Sequence, residues 1–251
     1  MEGEKALVWA VSRGCWGRMD IIFSIGDGLD GLRLAIAGAS ALASVLYLRF
    51  AGQAPSPARQ WLKTFAFGSL AVLPLTLVAG VTHAGQTGQL CLSLALALSA
   101  LGDYLLAAGD QQRFFVPGLA SFLLAHVVYV ITFLPLASAP ELGQVVVIAA
   151  ALVASGALML RVRPKLGKLM VPVTAYFVVI SVMIAIAVCA SSLHWVPGAG
   201  ALLFAFSDSL IAVRKFLTPF RGIHEAVWAT YAVAQFMICL SVLAALMNPG
   251  Y

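Results

Sequence analysis

Residues 100–107 read Ala-Leu-Gly-Asp-Tyr-Leu-Leu-Ala, so that Asp103 lies inside an apolar run. Nearly the same pattern returns at residues 205–212, Ala-Phe-Ser-Asp-Ser-Leu-Ile-Ala, around Asp208. A carboxyl group in the middle of a membrane costs roughly 2.5 to 3.5 kcal/mol on insertion scales, so it normally faces the protein interior. Two such aspartates predict a polar site inside a bundle of membrane-spanning helices.

The composition of the whole chain indicates a membrane protein. Its 251 residues are 62% hydrophobic and only 10% charged, and the mean hydropathy is +0.99. A soluble domain carries about 25% charged residues, and a spanning helix needs about twenty apolar residues. The length therefore allows seven or eight spans joined by short loops, with no room for a soluble domain.

Eight apolar segments follow an N-terminal lead-in. Residues 1–31 contain only short apolar pieces broken by charges, which predicts an interfacial or poorly ordered segment. Residues 247–251 form a short C-terminal tail. One transmembrane domain over residues 32–246 would hold the predicted spans 32–50, 63–81, 89–107, 117–137, 142–160, 168–190, 197–215 and 224–246. The fold class is therefore all-α, a polytopic helical bundle.

The basic residues separate clearly by loop. With eight spans, the loops after the odd-numbered spans share one side of the membrane and hold eleven of the fifteen Lys and Arg residues. By the positive-inside rule we expect these loops in the cytoplasm and both termini outside, in a bacterial inner membrane or its equivalent. The net charge of +5 then reflects orientation, and nucleic-acid binding is not expected. Trp61, Trp195 and Trp228 fall at span ends, which is typical of an aromatic belt.

The two aspartates suggest an internal repeat. They are 105 residues and four spans apart, so the third and seventh helices would run in the same direction, with both aspartates in the cytoplasmic half. His126 follows Asp103 by 23 residues, and Tyr231 follows Asp208 by the same interval. A parallel repeat of spans 1–4 and 5–8 explains this recurrence, and a short coincidental echo is the alternative.

Few other polar side chains in the spans need partners. The fourth span carries His126 and Tyr129 on one helical face, and the eighth carries Tyr231 and Gln235 on another. Lys63 can form an ion pair with Asp103, or it can extend to the cytoplasmic surface. Hydrogen bonding between packed helices is the alternative explanation for all of these polar groups.

Patterns for several other chemistries are missing from the sequence. The four cysteines are scattered without a CxxC pair, and neither HExxH nor GxSxG occurs. His83 and His194 fall at the outer ends of spans and His224 at the cytoplasmic end, which argues against a three-histidine zinc centre. We therefore predict no metal site.

Three segments carry a family resemblance: Gly-Asp-Tyr-Leu-Leu at 102–106, Ala-His-Val-Val-Tyr at 125–129 and Gly-Ala-Leu-Leu-Phe-Ala-Phe-Ser-Asp-Ser at 200–209. With Pro172, Tyr176 and the pair on the eighth span, they resemble the YhhN-like lysoplasmalogenase family over roughly residues 32–246. The resemblance implies an enzyme that takes a lysophospholipid from the bilayer and hydrolyses the vinyl ether bond of lysoplasmalogens. The products would be a fatty aldehyde and a glycerophospho-ethanolamine or -choline.

A pair of carboxyl groups suits this chemistry. Protonation of the vinyl β-carbon gives an oxocarbenium ion, water captures it, and the hemiacetal collapses, so no cofactor is needed. One carboxylic acid can deliver the proton while one carboxylate stabilises the cation, as in glycosidases. We predict Asp103 and Asp208 as this pair, with either one as the acid. The residues predicted to support them or to bind substrate are Lys63, His126, Tyr129, Tyr176, Ser207, Tyr231 and Gln235. In the basic loops, Arg113, Arg214 and Lys215 could hold the phosphate, and a role in topology alone is the alternative.

A membrane transporter is the main alternative. Aspartates inside the spans of two repeats are also typical of small-molecule or proton-coupled transporters. Alternating access favours a site at the membrane midplane, however, whereas both aspartates here are expected in one half. An activated ether or an epoxide other than a plasmalogen would also suit two carboxyl groups, and the sequence leaves headgroup, chain length and oligomeric state open.

Overall fold

The computed structural model describes residues 20–190 and 195–247. Within these ranges all regular structure is helical, and there is no strand, which confirms the predicted all-α class. The α-helices are α1 (Asp30–Tyr47), α2 (Pro57–Leu70), α3 (His83–Ala107), α4 (Gln111–Phe133), α5 (Leu142–Val162), α6 (Met170–Val188), α7 (Val196–Phe216) and α8 (Ile223–Leu246).

Seven helical stretches among the described residues are long and apolar enough to cross a membrane. Six of them correspond to α3 through α8, and the seventh joins α2 to a 3₁₀ segment, Pro74–Gly80. Helix α1 is 18 residues long, carries Asp30 and Arg33 near its start, and is not among the seven. The helices therefore form a bundle of the multi-pass membrane type.

A proline interrupts the α-helix of the second predicted span. Helix α2 begins at Pro57, behind the N-cap Ser56, and ends at Leu70. Pro74 then starts a 3₁₀ segment, because proline lacks the backbone N–H and clashes with the carbonyl four residues before it. The predicted span 63–81 overlaps the span-capable stretch Pro57–Ala79, but its α-helix is interrupted after Leu70.

The two halves of the bundle pack in the same order along the chain. In the first half α1 packs on α2, α2 on α3 and α3 on α4, and the same succession joins α5 to α8. Contacts of α4 with α6 and of α3 with α8 then join the halves. Packing of each helix on the next occurs in any up-and-down bundle, so the four-plus-four repeat stays a prediction.

One predicted belt tryptophan belongs to the core instead. The Trp228 side chain is 2% exposed and packs against the rings of Tyr47, Phe67 and Tyr231. Its indole N–H donates to the Ser44 carbonyl oxygen at 2.8 Å, which satisfies its only polar group. Trp61 and Trp195, at 62% and 68% exposed, remain on the outer surface as predicted.

An ion-pair cluster fixes the start of α1. Arg33 is fully buried, and its guanidinium contacts the carboxylates of Asp27 and Asp30 and the Thr76 carbonyl oxygen. The hydrogen bond from Arg33 lowers the pKa of Asp27, which precedes the helix, to about 2. This cluster ends the predicted lead-in 1–31, of which residues 1–19 lie outside the described ranges, as do residues 248–251 of the tail.

A glycine allows α3 and α4 to approach beside Asp103. A Cβ atom on Gly102 would lie 2.5 Å from the ring of Phe122 on α4, closer than real atoms pack. The small residue therefore lets the Phe122 ring lie directly against the α3 backbone. This contact brings the aromatic ring to the same cavity as the neighbouring aspartate.

Candidate active site

Asp103 on α3 and Asp208 on α7 line one small cavity of about 40 Å³. The cavity lies between the starts of α2 and α8 and the ends of α1, α3 and α7, so it faces the end of the bundle that carries the basic loops. Two residues 105 positions apart in the sequence are thus brought to a shared polar space.

Asp103 has a cation as its nearest partner. The Lys63 Nζ atom lies 2.8 Å from Asp103 Oδ1, and the Asp103 side chain is only 1% exposed. Lys63 lies almost two turns into α2 and points inward, with its ammonium 5.6 Å from the centre of the Trp228 ring. The alternative in which Lys63 extends to the membrane surface is therefore wrong.

A chain of hydrogen bonds also ends on Asp103. The Tyr231 hydroxyl donates to Asp103 Oδ2 at 2.9 Å and accepts from Gln235 Nε2 at 3.1 Å. The Tyr129 hydroxyl in turn donates to Gln235 Oε1. All three donors point toward the carboxylate, so each polarises the next and the chain favours a charged Asp103.

Asp208 has neutral partners. The Tyr176 hydroxyl donates to Asp208 Oδ2 at 2.7 Å, and His126 Nε2 lies 3.5 Å from the same oxygen. No Lys or Arg side chain among the described residues lies within ion-pair distance of this carboxyl group, which is 13% exposed. The two aspartates therefore differ in their surroundings even though they share a cavity.

The tautomer of His126 follows from its second contact. Its Nδ1 atom lies 2.6 Å from the Phe122 carbonyl oxygen, which can only accept a hydrogen bond, so Nδ1 carries a proton. In a neutral ring Nε2 then has a free lone pair, and it is buried without a hydrogen-bond partner in the described part of the chain. Because Nε2 is directed at Asp208, it can accept a proton from that carboxyl group or from a water molecule beside it.

The partners of the two aspartates are exchanged between the halves of the chain. Tyr231, from the second half, donates to Asp103, and His126, from the first half, contacts Asp208. The sequence placed each polar residue in the same half as its aspartate and did not assign it to the aspartate of the other half. The exchange is what two repeats related by an approximate twofold axis would give.

An apolar groove meets the polar cavity at Asp208. The groove has a volume of about 110 Å³ and is formed mainly by α5, α6 and α7, with Ser155, Leu158, Phe177 and Ala212 among its lining residues. Asp208 lines both the groove and the polar cavity. An apolar chain in the groove would therefore have its end next to this carboxyl group.

The remaining predicted site residue, Ser207, lines the cavity and also joins two helices. Its hydroxyl donates to the Val227 carbonyl oxygen at 2.8 Å and so joins α7 to α8. Tyr129 and Gln235 do not line the cavity and reach Asp103 only through Tyr231.

The sequence analysis did not identify Arg59 and His224 as site residues, although they line the cavity at its basic end. Arg214, one of the three loop residues considered for phosphate binding, lines the same end. Arg59 is one helical turn before Lys63, and Arg214 follows Asp208 by six residues. The four-residue spacing places Arg59 one turn from Lys63 on the same face of α2, whereas Arg214 lies about a third of a turn around α7 from Asp208. The interval to Lys63 is the signal that could have distinguished Arg59 from an ordinary loop charge.

The described residues contain no cluster of side chains that could bind a metal ion. No group of three or more His, Cys, Asp or Glu side chains within them is close enough to hold an ion. His83 and His224 belong to the described residues, whereas His194 lies outside them.

Comparison with known proteins gives one family and several curated relatives. The model of the YhhN family matches residues 58–242. A lysoplasmalogenase of Mycobacterium bovis is 39% identical over 174 residues, which cover 68% of this chain and 66% of that protein. The human lysoplasmalogenase TMEM86B is 34% identical over 177 residues, covering 68% of this chain and 73% of the human protein.

A second human relative matches over a shorter stretch of the chain. The human lysoplasmalogenase TMEM86A is 32% identical over 159 residues, 60% of this chain and 64% of that protein. The match thus spans slightly less than two thirds of the mycobacterial relative. No solved structure matches the chain.

Proposed function

The chain belongs to the YhhN family, and we propose that this multi-pass integral membrane protein hydrolyses the vinyl ether bond of lysoplasmalogens. Three curated relatives named lysoplasmalogenase, from a bacterium and from human, support the reaction class. The products would be a fatty aldehyde and a glycerophospho-ethanolamine or -choline. The reaction needs one proton donor, one water molecule and a group that stabilises a cation.

Asp208 is the proton donor in this proposal. It has no cationic partner among the described residues, so little in its surroundings favours its carboxylate form. Its O–H bond breaks as the proton passes to the vinyl β-carbon, and the positive charge that remains is shared by the α-carbon and the ether oxygen. Tyr176, which donates to Asp208 Oδ2, fixes the orientation of the acid.

Asp103 is the carboxylate that stabilises the cation. Lys63 and Tyr231 hold it in its charged form and leave it facing the cavity that Asp208 also lines. A negative charge that is already in place before the reaction lowers the energy of a developing cation without a cost of reorganisation. The two aspartates thus have opposite roles because their neighbours differ.

Water completes the reaction. A water molecule attacks the α-carbon, and its proton passes to His126 Nε2 or back to Asp208, both of which can accept it at that stage. The bond between the α-carbon and the glycerol oxygen then breaks, and the glycerol oxygen takes up the proton held by His126 or Asp208. The hemiacetal hydroxyl gives its own proton to the Asp208 carboxylate, which regenerates the acid and leaves the aldehyde. One water is consumed, and the aldehyde and the glycerol hydroxyl are the products.

The observation that carries this proposal is the position of Asp208 at the junction of the polar cavity and the apolar groove. A lysoplasmalogen has its vinyl ether at the same kind of junction, between a polar glycerophosphate and a hydrocarbon chain. Substrate would enter from the bilayer leaflet on the side of the basic loops. By the positive-inside rule this is the cytoplasmic leaflet, and with α1 counted as the first of eight spans both termini lie on the opposite side.

Two matched lipids test the reaction. Purified protein in detergent should release aldehyde from lysoplasmenyl-ethanolamine and leave its saturated ether analogue intact, because only the vinyl ether has a carbon that can be protonated to a stabilised cation. In water enriched in heavy oxygen, the glycerophosphoethanolamine product should carry no label, since the bond that breaks is on the aldehyde side. Equal cleavage of both lipids, or labelled glycerophosphoethanolamine, would contradict the mechanism.

The same preparation separates the enzyme from a transporter. Reconstituted protein that accumulates a solute in vesicles but releases no aldehyde would favour the transporter. An activated ether other than a plasmalogen, or an epoxide, should be cleaved only if it fits the groove beside Asp208.

A further inference from the structure

We propose that Arg59 and Arg214 bind the phosphate of the lipid headgroup, at the outer end of the cavity that Asp103 and Asp208 line. This inference rests on the proposed function for its substrate. It assigns a phosphate subsite to two residues that belong to different halves of the chain, at the start of α2 and the end of α7.

The first observation is that neither arginine has an acidic partner. No carboxylate in residues 20–190 or 195–247 lies within ion-pair distance of either guanidinium, although both are half-buried and line the same cavity. The Glu225 carboxylate lies beside Gly52, where a Cβ atom would be 3.2 Å from its Oε1, and it forms no ion pair with either arginine. Two unpaired cations in one partly buried space repel each other unless an anion lies between them.

The second observation is an unsatisfied donor. Arg59 Nε is buried and makes no hydrogen bond within the described ranges, while Nη2 makes only a long contact of 3.5 Å with the Ala51 carbonyl oxygen. The Arg59 guanidinium lies over the Tyr47 ring, with 5.9 Å between its central carbon and the ring centre. A buried N–H without a partner is unfavourable, and a phosphate oxygen would satisfy it.

A histidine adds a third donor. Arg214 Nη1 lies 3.1 Å from His224 Nδ1, and because a guanidinium only donates, Nδ1 accepts this hydrogen bond. The remaining ring nitrogen, Nε2, then carries the proton in the neutral ring. His224 lines the cavity and can donate to an anion held by the two arginines.

The charges in the cavity suit a phosphodiester. Its lining includes three cationic side chains, those of Arg59, Lys63 and Arg214, and two carboxyl groups. Lys63 neutralises Asp103, and Asp208 carries a proton in the proposed mechanism. The two arginines are left without counter-charge, and a phosphodiester supplies one negative charge with oxygens that match the guanidinium fork.

The spacing along α7 fits a single lipid molecule. Arg214 follows Asp208 by six residues, which is about 9 Å along a helix axis. Seven bonds separate the phosphorus from the vinyl β-carbon, and an extended chain gains roughly 1.2 Å per bond, so they are about 8 Å apart. A phosphate at the arginines therefore places the vinyl ether at Asp208 and the hydrocarbon chain in the groove.

A comparison of two substrates tests the subsite. Lysoplasmenyl-ethanolamine and 1-alkenylglycerol, which lacks the phosphate, are assayed in mixed micelles at varied mole fraction with wild type, R59Q, R214Q and R163Q. Loss of a charged hydrogen bond should raise KM for the phospholipid roughly 10- to 100-fold in R59Q and R214Q. The kcat for the phospholipid and the KM for alkenylglycerol should stay within about threefold, since the arginines do not contact the reacting atoms. R163Q, with the same change of charge at an exposed position between α5 and α6, should resemble wild type for both lipids.

Binding experiments distinguish failure of the phosphate subsite from failure of the proposed hydrolysis. The saturated ether lysophosphoethanolamine should raise the melting temperature of wild type but not of R59Q/R214Q, and alkylglycerol should have equal effects on both proteins. If wild type cleaves neither lipid but shows this binding pattern, the reaction is wrong and the phosphate subsite stands. Equal KM changes for both substrates, or arginine-independent binding, would overturn the subsite. Stabilisation by inorganic phosphate alone, without any by the lysophospholipid, would assign the arginines to free phosphate and overturn the headgroup assignment.

Discussion

Lys63 Nζ lies 2.8 Å from Asp103 Oδ1, while the Asp208 carboxyl group has only tyrosine and histidine partners in the described structure. Two aspartates with the same sequence context thus have different electrostatic surroundings. The difference comes from Lys63 at the start of α2, since Lys168, 105 residues later, is exposed and makes no ion pair with Asp208. It allows one carboxyl group to act as acid and the other as carboxylate.

Replacing Lys63 by Met should destabilise the protein. It would leave the Asp103 carboxylate, 1% exposed, without its cation, and breaking a buried ion pair costs roughly 3 to 5 kcal/mol. Thermal unfolding in detergent should show a clearly lower melting temperature for K63M. The double variant K63M/D103L removes both charges and should regain much of the lost stability while remaining inactive. A double variant less stable than K63M would contradict a direct pairing.

Filling the apolar groove should exclude long-chain substrate. Ser155 on α5 lines the groove, and a tryptophan there would occupy the space next to Asp208. We expect S155W to raise KM for a long-chain lysoplasmalogen at least tenfold and to leave a short-chain vinyl ether less affected. The matched control is V153W on the same helix, where the side chain is 72% exposed. If both variants behave alike, the groove does not hold the chain.

Adding a methyl group at Gly102 should separate α3 from α4. The new Cβ would lie 2.5 Å from the Phe122 ring, and overpacking of this kind costs about 1 to 3 kcal/mol. The G102A protein should therefore melt at a lower temperature and lose activity as Asp103 shifts. G156A is the control, because nothing lies within 4 Å of a Cβ at that position and alanine favours a helix. Equal melting temperatures for G102A and wild type would rule out the close contact.

The Arg33 cluster should make stability depend on pH in the acidic range. The folded pKa of Asp27 is about 2, below its ordinary value of 3.8, because Arg33 stabilises the carboxylate. A carboxyl group whose pKa is lowered by folding stabilises the protein at pH values above its ordinary pKa. This stabilisation is lost as the pH falls through the pKa of the folded state. The melting temperature of wild type should exceed that of D27N near neutral pH, and the difference should shrink between about pH 4 and pH 2. A constant difference over that range would contradict the ion pair.

Much of the fold could be predicted from sequence, because the burial of charge in lipid is so costly. Each of the eight apolar segments overlaps an α-helix of the described residues, although α1 is not among the seven stretches able to span a membrane. The two aspartates inside these segments predicted a shared polar site. The predicted ends of the spans were less accurate near prolines. A hydropathy profile does not show that Pro74 lacks a backbone N–H and therefore interrupts the α-helix.

Contacts between the halves could not be predicted from the sequence. Nothing in the spacing of His126 or Tyr231 says that each would contact the aspartate of the other half, because this depends on how the halves pack. Trp228 likewise has the position of a belt residue in sequence and becomes core only through contacts with α1 and α2.

The most direct test of the account is aldehyde release from lysoplasmenyl-ethanolamine by purified wild type, D208N and D103N. Asparagine keeps the shape of the side chain and cannot supply a proton, so D208N should be slower than wild type by roughly 10²- to 10⁴-fold. D103N should also be strongly impaired, because it removes the charge that stabilises the cation. Both variants must elute as monodisperse protein in the same detergent. Aldehyde release by folded D208N at the wild-type rate would contradict the central claim.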